Sequence, residues 1–440
     1  MDPQTAMTTS SQGSWTRVAV RFLAASCFFP YPALAIGGNN GLQLNQLLAL
    51  GCVPLLCFRP PGRPFQAYVI LLIPIYVSVF LNVMIGESTS LSVLPKEAVS
   101  LTLAMLILWP TELIATRAFF SEVLRAATAA LLIHSLIGFY QVYSFRNDEF
   151  PLLFLYKNPS FRSLEEWSPI YARYIKRPCG LFPEPSAMAA SLGPWLAMLT
   201  GLILDPIQAK RLGWQGGKAT VAVACAFVLL ALSRSGCTLV IMAAVMVLCV
   251  GKFRSQLTSF GIGKLLSMAV VLLGGVGVLG YAISGLSQGY EERVASSWGI
   301  RGKSIAVGLT SNNDMGSLAF GVGPGQSPPI VSRKMSSVPL PEDEGSLAIF
   351  SLTVCYYMET GLIGALAMFT VLMMALRAIV RSSAVLLGLC TLGPWLMGVG
   401  ATTSYMSLSA IWFCLGLMLC WDRLFPPPSG ALTSTGEFAL

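Results

Sequence analysis

Long apolar runs alternate with short polar turns along most of the chain. A membrane-spanning helix needs about 20 consecutive apolar residues, and twelve runs come near or exceed that length. They are Val18–Ile36, Leu42–Phe58, Phe65–Ile85, Ala98–Thr116, Phe119–Phe145, Pro185–Leu204, Ala219–Ser233, Gly236–Val250, Leu265–Leu286, Ser346–Leu376, Ala384–Gly400 and Met406–Leu424. The pattern predicts an all-α fold, a polytopic transmembrane helical bundle of about 12 spans.

The spacing of these runs predicts two long loops containing short interfacial helices. The expected segments are helices 1–5 in 1–145, a periplasmic loop in 146–184, helices 6–9 in 185–286, a large periplasmic loop in 287–345, helices 10–12 in 346–424, and a disordered cytoplasmic tail in 425–440. Lys and Arg concentrate in alternate short loops, which favours a cytoplasmic location for those loops and for both termini.

Composition agrees with a membrane protein. The chain is 55% hydrophobic and 11% charged, whereas soluble domains carry about 25% charged residues. The net charge of +8 is therefore read as a topology and site signal, and no nucleic-acid partner is expected. The cysteines are scattered without a C-x-x-C pair, so neither a disulfide framework nor a metal site is predicted. The single histidine, His134, lies in an apolar run and is expected to be packed and hydrogen-bonded rather than catalytic.

The stretch RPCGLFPEPSAMAA, from Arg177 to Ala190, leads from a polar loop into an apolar run. Pro185 suits the first turn of a helix, where its missing N–H costs nothing. Glu184 is therefore predicted at a helix N-terminus, at the level where membrane meets water. Arg177 is close enough in sequence to fold back over it, and a helix N-terminus with an arginine nearby makes an anion site.

Several other arginines are predicted on the outer side of the membrane, the side on which Glu184 is expected. This is unusual, because Lys and Arg usually concentrate in cytoplasmic loops. The candidate anion-binding set is Arg177, Arg234, Arg293, Arg301 and Arg333. Arginines bind phosphate or diphosphate bidentately, and the carboxylates of Glu184 and Glu344 suit a general base. Simpler interpretations stay open: Arg234 reaching lipid headgroups, solvated loop charges, Glu344 stabilising a helix N-terminus, and Gly321–Gly325 forming an ordinary turn rather than an anion nest.

Several stretches, in this order, resemble the O-antigen polymerase and O-antigen ligase superfamily of bacterial membrane glycosyltransferases. RPCGLFPEPSAMAA is similar to its R-x-x-G-x-F-x-x-P-x-x-x-A helix entry, with the Glu-Pro-Ser form of the exopolysaccharide polymerase branch. The other similar stretches are ALSRSG at Ala231–Gly236, the stretch from Arg293 to GVGPG at Gly321–Gly325, and the E-x-G-L-I-G helix at Tyr356–Phe369. The resemblance covers about residues 177 to 370, and the flanks match only in hydropathy.

The resemblance implies a polymerase of O-antigen or exopolysaccharide repeat units in the bacterial inner membrane, with its active site facing the periplasm. The growing glycan would pass from undecaprenyl diphosphate to a hydroxyl of the next lipid-linked repeat unit, with inversion and without a cofactor or metal. The resemblance implies Arg177 and Arg234 as the main diphosphate contacts, with Arg293 as the next candidate. The implied partners are the lipid-linked donor and acceptor oligosaccharides, membrane lipid and, optionally, a chain-length regulator.

Three other functions remain open. The ligase branch has a His-Asn pair about nine residues before the glutamate of E-x-G-L-I-G, where this chain has Phe350 and Ser351. That difference favours a polymerase over a ligase, with Glu184 or Glu344 as base, or with no side-chain base at all. A lipid-linked sugar transporter or flippase is disfavoured because no internal repeat is evident. A purely structural membrane subunit would tolerate loss of the arginines.

Overall fold

The computed structural model is mostly helical in the part that it describes. The described residues are 3–35, 41–85, 93–156, 172, 176–214, 216–233, 241, 243–245, 247–248, 301–335, 349, 351–401 and 408–427. The helices up to the first long gap are α1 (Pro3–Cys27), α2 (Leu44–Cys57), α3 (Arg63–Ile85), α4 (Val93–Met105), α5 (Thr111–Ile114), α6 (Arg117–Ser144), α7 (Pro185–Leu204), α8 (Pro206–Arg211) and α9 (Gly217–Ser233). After it come α10 (301–310), α11 (Met315–Phe320), α12 (Ser327–Lys334), α13 (Leu352–Val380), α14 (Val385–Ala401), α15 (Ser409–Leu419) and α16 (Trp421–Leu424).

The first predicted span, Val18–Ile36, is wrong at its end. Helix α1 stops at Cys27, and the chain then forms a short antiparallel pair, β1 (Ala33–Ala35) with β2 (Gly41–Gln43). Pro30 and Pro32 explain the early end, because proline lacks the N–H that a continuing helix requires. Short 3-10 helices also occur, at Leu106–Leu108, Phe145–Asn147 and Leu153–Tyr156.

The chain has helices of the kind that cross membranes. Within the described residues, five are long and apolar enough: Arg63–Met84, Val93–Ile114, Arg117–Asn147, Pro185–Leu204 and Leu352–Val380. Shorter apolar helices accompany them, at Leu44–Cys57, Ala219–Ser233, Val385–Gly400 and Ser409–Leu419. The number of twelve spans stays a prediction, because the run Leu265–Leu286 lies outside the described residues and Gly236–Val250 lies largely outside them.

Helix α7 lies at the centre of the bundle. Its apolar window is 89% buried, against 28% for α3 at the periphery. It packs against α14, α9 and α15, and its Trp195 stacks on Phe413 and meets Phe28 edge-on, with ring centroids 5.5 and 5.1 Å apart. Small residues line this helix, and such residues let neighbouring helices approach closely in a membrane. The residues that begin α7 are therefore fixed by the core.

Helix α14 approaches α7 closely at Gly398. A methyl group at Gly398 would lie 3.0 Å from the Cα of Ala190, whereas one at Gly393, on the same helix, would meet no described atom within 4 Å. We expect Gly398→Ala to force the helices apart and lower stability by about 1–3 kcal/mol. Gly393→Ala is the matched control and should be neutral or stabilising, since alanine is the better helix former. Thermal unfolding in detergent tests this; equal melting temperatures for the two variants would contradict the packing.

Candidate functional site

The predicted start of a helix after Glu184 is confirmed. Glu184 is the extended residue before α7, with φ −156° and ψ 162°, and Pro185 is the first helical residue. The carbonyl oxygen of Glu184 accepts the N–H of Met188 at 3.1 Å, the first turn of the helix. The carboxyl group thus sits where the partial positive charge of the helix N-terminus is strongest.

The Glu184 side chain contacts a hydroxyl group and feels the charge of an arginine. It is half-buried, and its Oε1 accepts a hydrogen bond from the Ser186 hydroxyl. Burial raises the pKa of Glu184 above its ordinary value, while the Ser186 hydrogen bond and the charge of Arg301 pull it back. The charge of Arg301, on α10, acts on Glu184, so the fold places two of the predicted site residues in the same region despite a long separation in sequence.

His134 fixes the segment that precedes Glu184. The Leu181 N–H donates to its Nδ1 at 3.0 Å, so the ring proton must be on Nε2, which lies 3.0 Å from the carbonyl oxygen of Phe28. The ring is fully buried between Phe29 and Phe182. The prediction of a packed, hydrogen-bonded histidine is confirmed. His134, on α6, contacts both this segment and Phe28, the residue that follows α1.

Gln141 lies two turns along α6 from His134, on the same face. Its Oε1 accepts the N–H groups of Cys179 and Gly180 at 3.0 and 3.1 Å, and its Nε2 donates to the Gly180 carbonyl at 3.1 Å. The Tyr156 hydroxyl also donates to that carbonyl. Gly180 has φ +57°, and a side chain there would lie 2.9 Å from the His134 ring. One buried amide thus satisfies three backbone groups of the segment.

Cys179, in the segment bound by Gln141, is surrounded by the core. It is fully buried, and burial raises the pKa of its thiol to about 12, with the negative charge of Glu184 adding to that rise. A thiol with so high a pKa stays protonated at neutral pH, and the thiolate is the nucleophilic form. Covalent chemistry through Cys179 is therefore disfavoured.

Of the remaining predicted site residues, the structure describes Arg177 and Arg333. Arg177 is half-buried in the segment held by Gln141, and Arg333 is exposed in the last turn of α12. Arg234, Arg293 and Glu344 lie outside the described residues. Within the described part of the chain, no group of three or more His, Cys, Asp or Glu side chains could hold a metal ion.

The N–H groups of the glycine-rich turn Gly321–Gly325 donate to acceptors on α13 of the same chain. They do not form an open nest for a bound anion. The N–H groups of Val322 and Gly323 donate to the carbonyl oxygens of Met358 and Glu359 at 3.0 and 3.1 Å. The N–H of Gly325 donates to the Glu359 carboxylate. Analysis of the sequence missed the roles of Gln141 and Glu359, and it predicted a hydrogen-bonded His134 without its partners. Polar residues within apolar spans were the available signal.

Comparisons with known proteins leave the family open. A scan against protein-family models finds no match, and a search of the curated proteins finds no match either. The resemblance to the polymerase and ligase superfamily therefore rests on the motifs alone.

His134 provides a test of how the segment is held. We expect His134→Leu to leave the Leu181 N–H without its acceptor, which costs about 1–3 kcal/mol for a buried group. The Leu181 amide should then exchange hydrogen faster. His134→Asn is the matched variant, because its Oδ1 can take the place of Nδ1, and it should retain more protection than His134→Leu. Amide hydrogen exchange by mass spectrometry measures both. Equal exchange at Leu181 in wild type and His134→Leu would contradict the assignment.

Proposed function

We propose that the chain is a membrane glycosyltransferase that polymerises O-antigen or exopolysaccharide repeat units carried on undecaprenyl diphosphate. The observation that carries the proposal is Glu184 at the N-terminus of the central buried helix, where its carboxyl group accepts the Ser186 hydroxyl and feels the charge of Arg301. A carboxylate at a helix N-terminus, with a guanidinium charge acting on it, offers a base and an anion contact in the same region. A bundle of apolar helices around it suits a lipid-linked substrate.

In the proposed reaction, Glu184 removes the proton from an acceptor sugar hydroxyl of the next lipid-linked repeat unit. The hydroxyl oxygen attacks the anomeric carbon of the donor glycan and forms the new C–O bond. The bond from that carbon to the diphosphate oxygen breaks, and undecaprenyl diphosphate leaves with the electron pair. Attack opposite to the leaving group inverts the anomeric carbon.

Arginine contacts would stabilise the charge that develops on the departing diphosphate. The charge of Arg301 acts on Glu184, the proposed base. Arg177 belongs to the segment fixed by Gln141. A guanidinium group matches phosphate oxygens bidentately, which makes it the stronger choice over lysine. The charge distribution of the loops favours a periplasmic location for this site in the inner membrane.

Arg301 and Lys303 form a matched pair for testing the site. Both are cations on α10, but Lys303 is exposed while Arg301 is half-buried near Glu184. We expect Arg301→Ala to slow product formation about 10- to 100-fold, as for loss of a charge-assisted hydrogen bond. Lys303→Ala should leave it unchanged. The assay incubates purified protein with the lipid-linked repeat unit of its host and resolves the glycan ladder and released undecaprenyl diphosphate. Equal activity of the two variants would refute the role of Arg301.

The pH dependence of the same assay tests Glu184 as the base. A base works when ionised, so the rate should fall as pH drops through the pKa of Glu184, which burial raises above its ordinary value. The Ser186 hydrogen bond lowers that pKa, so Ser186→Ala should move the acid limb to higher pH. Glu184→Gln should abolish turnover. An acid limb unchanged or moved to lower pH in Ser186→Ala would contradict the assignment.

A further inference from the structure

We propose that Glu359 is a positioning residue whose carboxylate binds the turn at Gly325–Ser327 and thereby holds residues 301–335, the cap segment, in the position from which the charge of Arg301 acts on Glu184. The role given to Arg301 rests on the proposed function, whereas the contacts of Glu359 do not. Glu359 lies inside the apolar helix α13, where an ionisable side chain is costly unless it is paired.

The Glu359 carboxylate is bound by groups of the cap segment. The Ser327 hydroxyl donates to its Oε1 at 2.6 Å, and the backbone N–H groups of Gly325 and Ser327 donate to the same carboxylate. The side chain is buried, with 5% of the residue exposed. A carboxyl group accepts such hydrogen bonds in either protonation state, and leaving a buried polar group without them is expensive.

The backbones of the turn and of α13 are in direct contact at the same place. Helix α13 is broken at Gly361, which has φ 66° and ψ −160°. A methyl group on Gly361 would lie 2.4 Å from the carbonyl carbon of Ala319, and one on Gly321 would lie 2.3 Å from the carbonyl carbon of Glu359. Only glycine allows this approach, so the break in α13 is shaped to receive the turn.

Helix α3 completes the contact. The Ser78 hydroxyl donates to the Glu359 carbonyl oxygen at 2.8 Å, and the Asn82 side chain donates to the Gly321 carbonyl oxygen at 3.3 Å. Glu97 on α4 also packs against the turn, because a methyl group on Gly325 would lie 2.5 Å from its Cγ. The N–H and O–H donors of the cap segment supply the hydrogen bonds that the carboxylate needs.

The turn is connected to Arg301 through further contacts of the cap segment. The Asn312 side chain donates to the Tyr357 carbonyl oxygen at 3.4 Å, and Lys334 donates to the Ser311 hydroxyl at 3.1 Å. On α10, Gly308 packs against Ile349 and Val354. Release of the turn from Glu359 would loosen the segment that carries Arg301.

Amide hydrogen exchange of the full-length protein in lipid nanodiscs tests the contact without depending on activity. We expect Glu359→Ala to speed exchange at least about tenfold at Val322, Gly323, Gly325 and Ser327. Glu359→Gln should have a smaller effect, because its amide oxygen can still accept the Ser327 hydroxyl. The control is Glu122→Ala, which removes another buried carboxylate, bound by Arg21 and Arg125 on α1 and α6, and should leave these amides unchanged.

Unchanged exchange at these four amides in Glu359→Ala would overturn the proposal. Should Glu359→Ala fail to fold, Ser327→Ala takes its place, since it removes one hydrogen bond and keeps the carboxylate. Faster exchange at Gly325 and Ser327 in that variant supports the proposal, and wild-type exchange there overturns it.

Binding of undecaprenyl diphosphate in the same nanodiscs separates positioning from a general structural role. Glu359→Ala and Arg301→Ala should each weaken binding, and the double variant should bind no more weakly than Arg301→Ala alone, because Glu359 acts through Arg301. Fully additive losses would overturn the positioning role. Wild-type affinity in Arg301→Ala would instead refute the proposed function, and the exchange data would still decide whether Glu359 binds the turn.

Discussion

The structure depends on hydrogen bonding of irregular backbone inside an apolar bundle. Helices satisfy their own N–H and C=O groups, but the segment before Glu184 and the glycine-rich turn do not, and both contain buried backbone. Neighbouring helices satisfy the first segment through side chains, and the turn through side chains and backbone carbonyls. Gln141 and His134 on α6 bind the first segment, and Glu359 on α13 binds the turn.

This constraint explains where the proposed site lies. The segment bound by α6 leads directly into Glu184, and the turn bound by α13 belongs to the cap segment, whose helix α10 carries Arg301. The side chains that bind the two segments, Gln141 and Glu359, are buried in the core.

Local features could be predicted from the sequence. Glu184 before Pro185 marks a helix start through the chemistry of proline, and the apolar runs mark the long helices. The early end of α1 was also readable from Pro30 and Pro32. The juxtaposition of Glu184 with Arg301 was not, because it depends on tertiary folding across distant segments. The glycines of the turn signalled a nearby anion, but not that Glu359 of the same chain supplies it.

The most direct test of the central claim is photo-crosslinking with a photoreactive analogue of undecaprenyl diphosphate, followed by mapping of the modified peptides. A diphosphate bound at the proposed site predicts crosslinks in two peptides, one containing Arg177 to Glu184 and one containing Arg301. An excess of unmodified undecaprenyl diphosphate should compete both away. Competable crosslinks confined to other parts of the chain would contradict the assignment of this site.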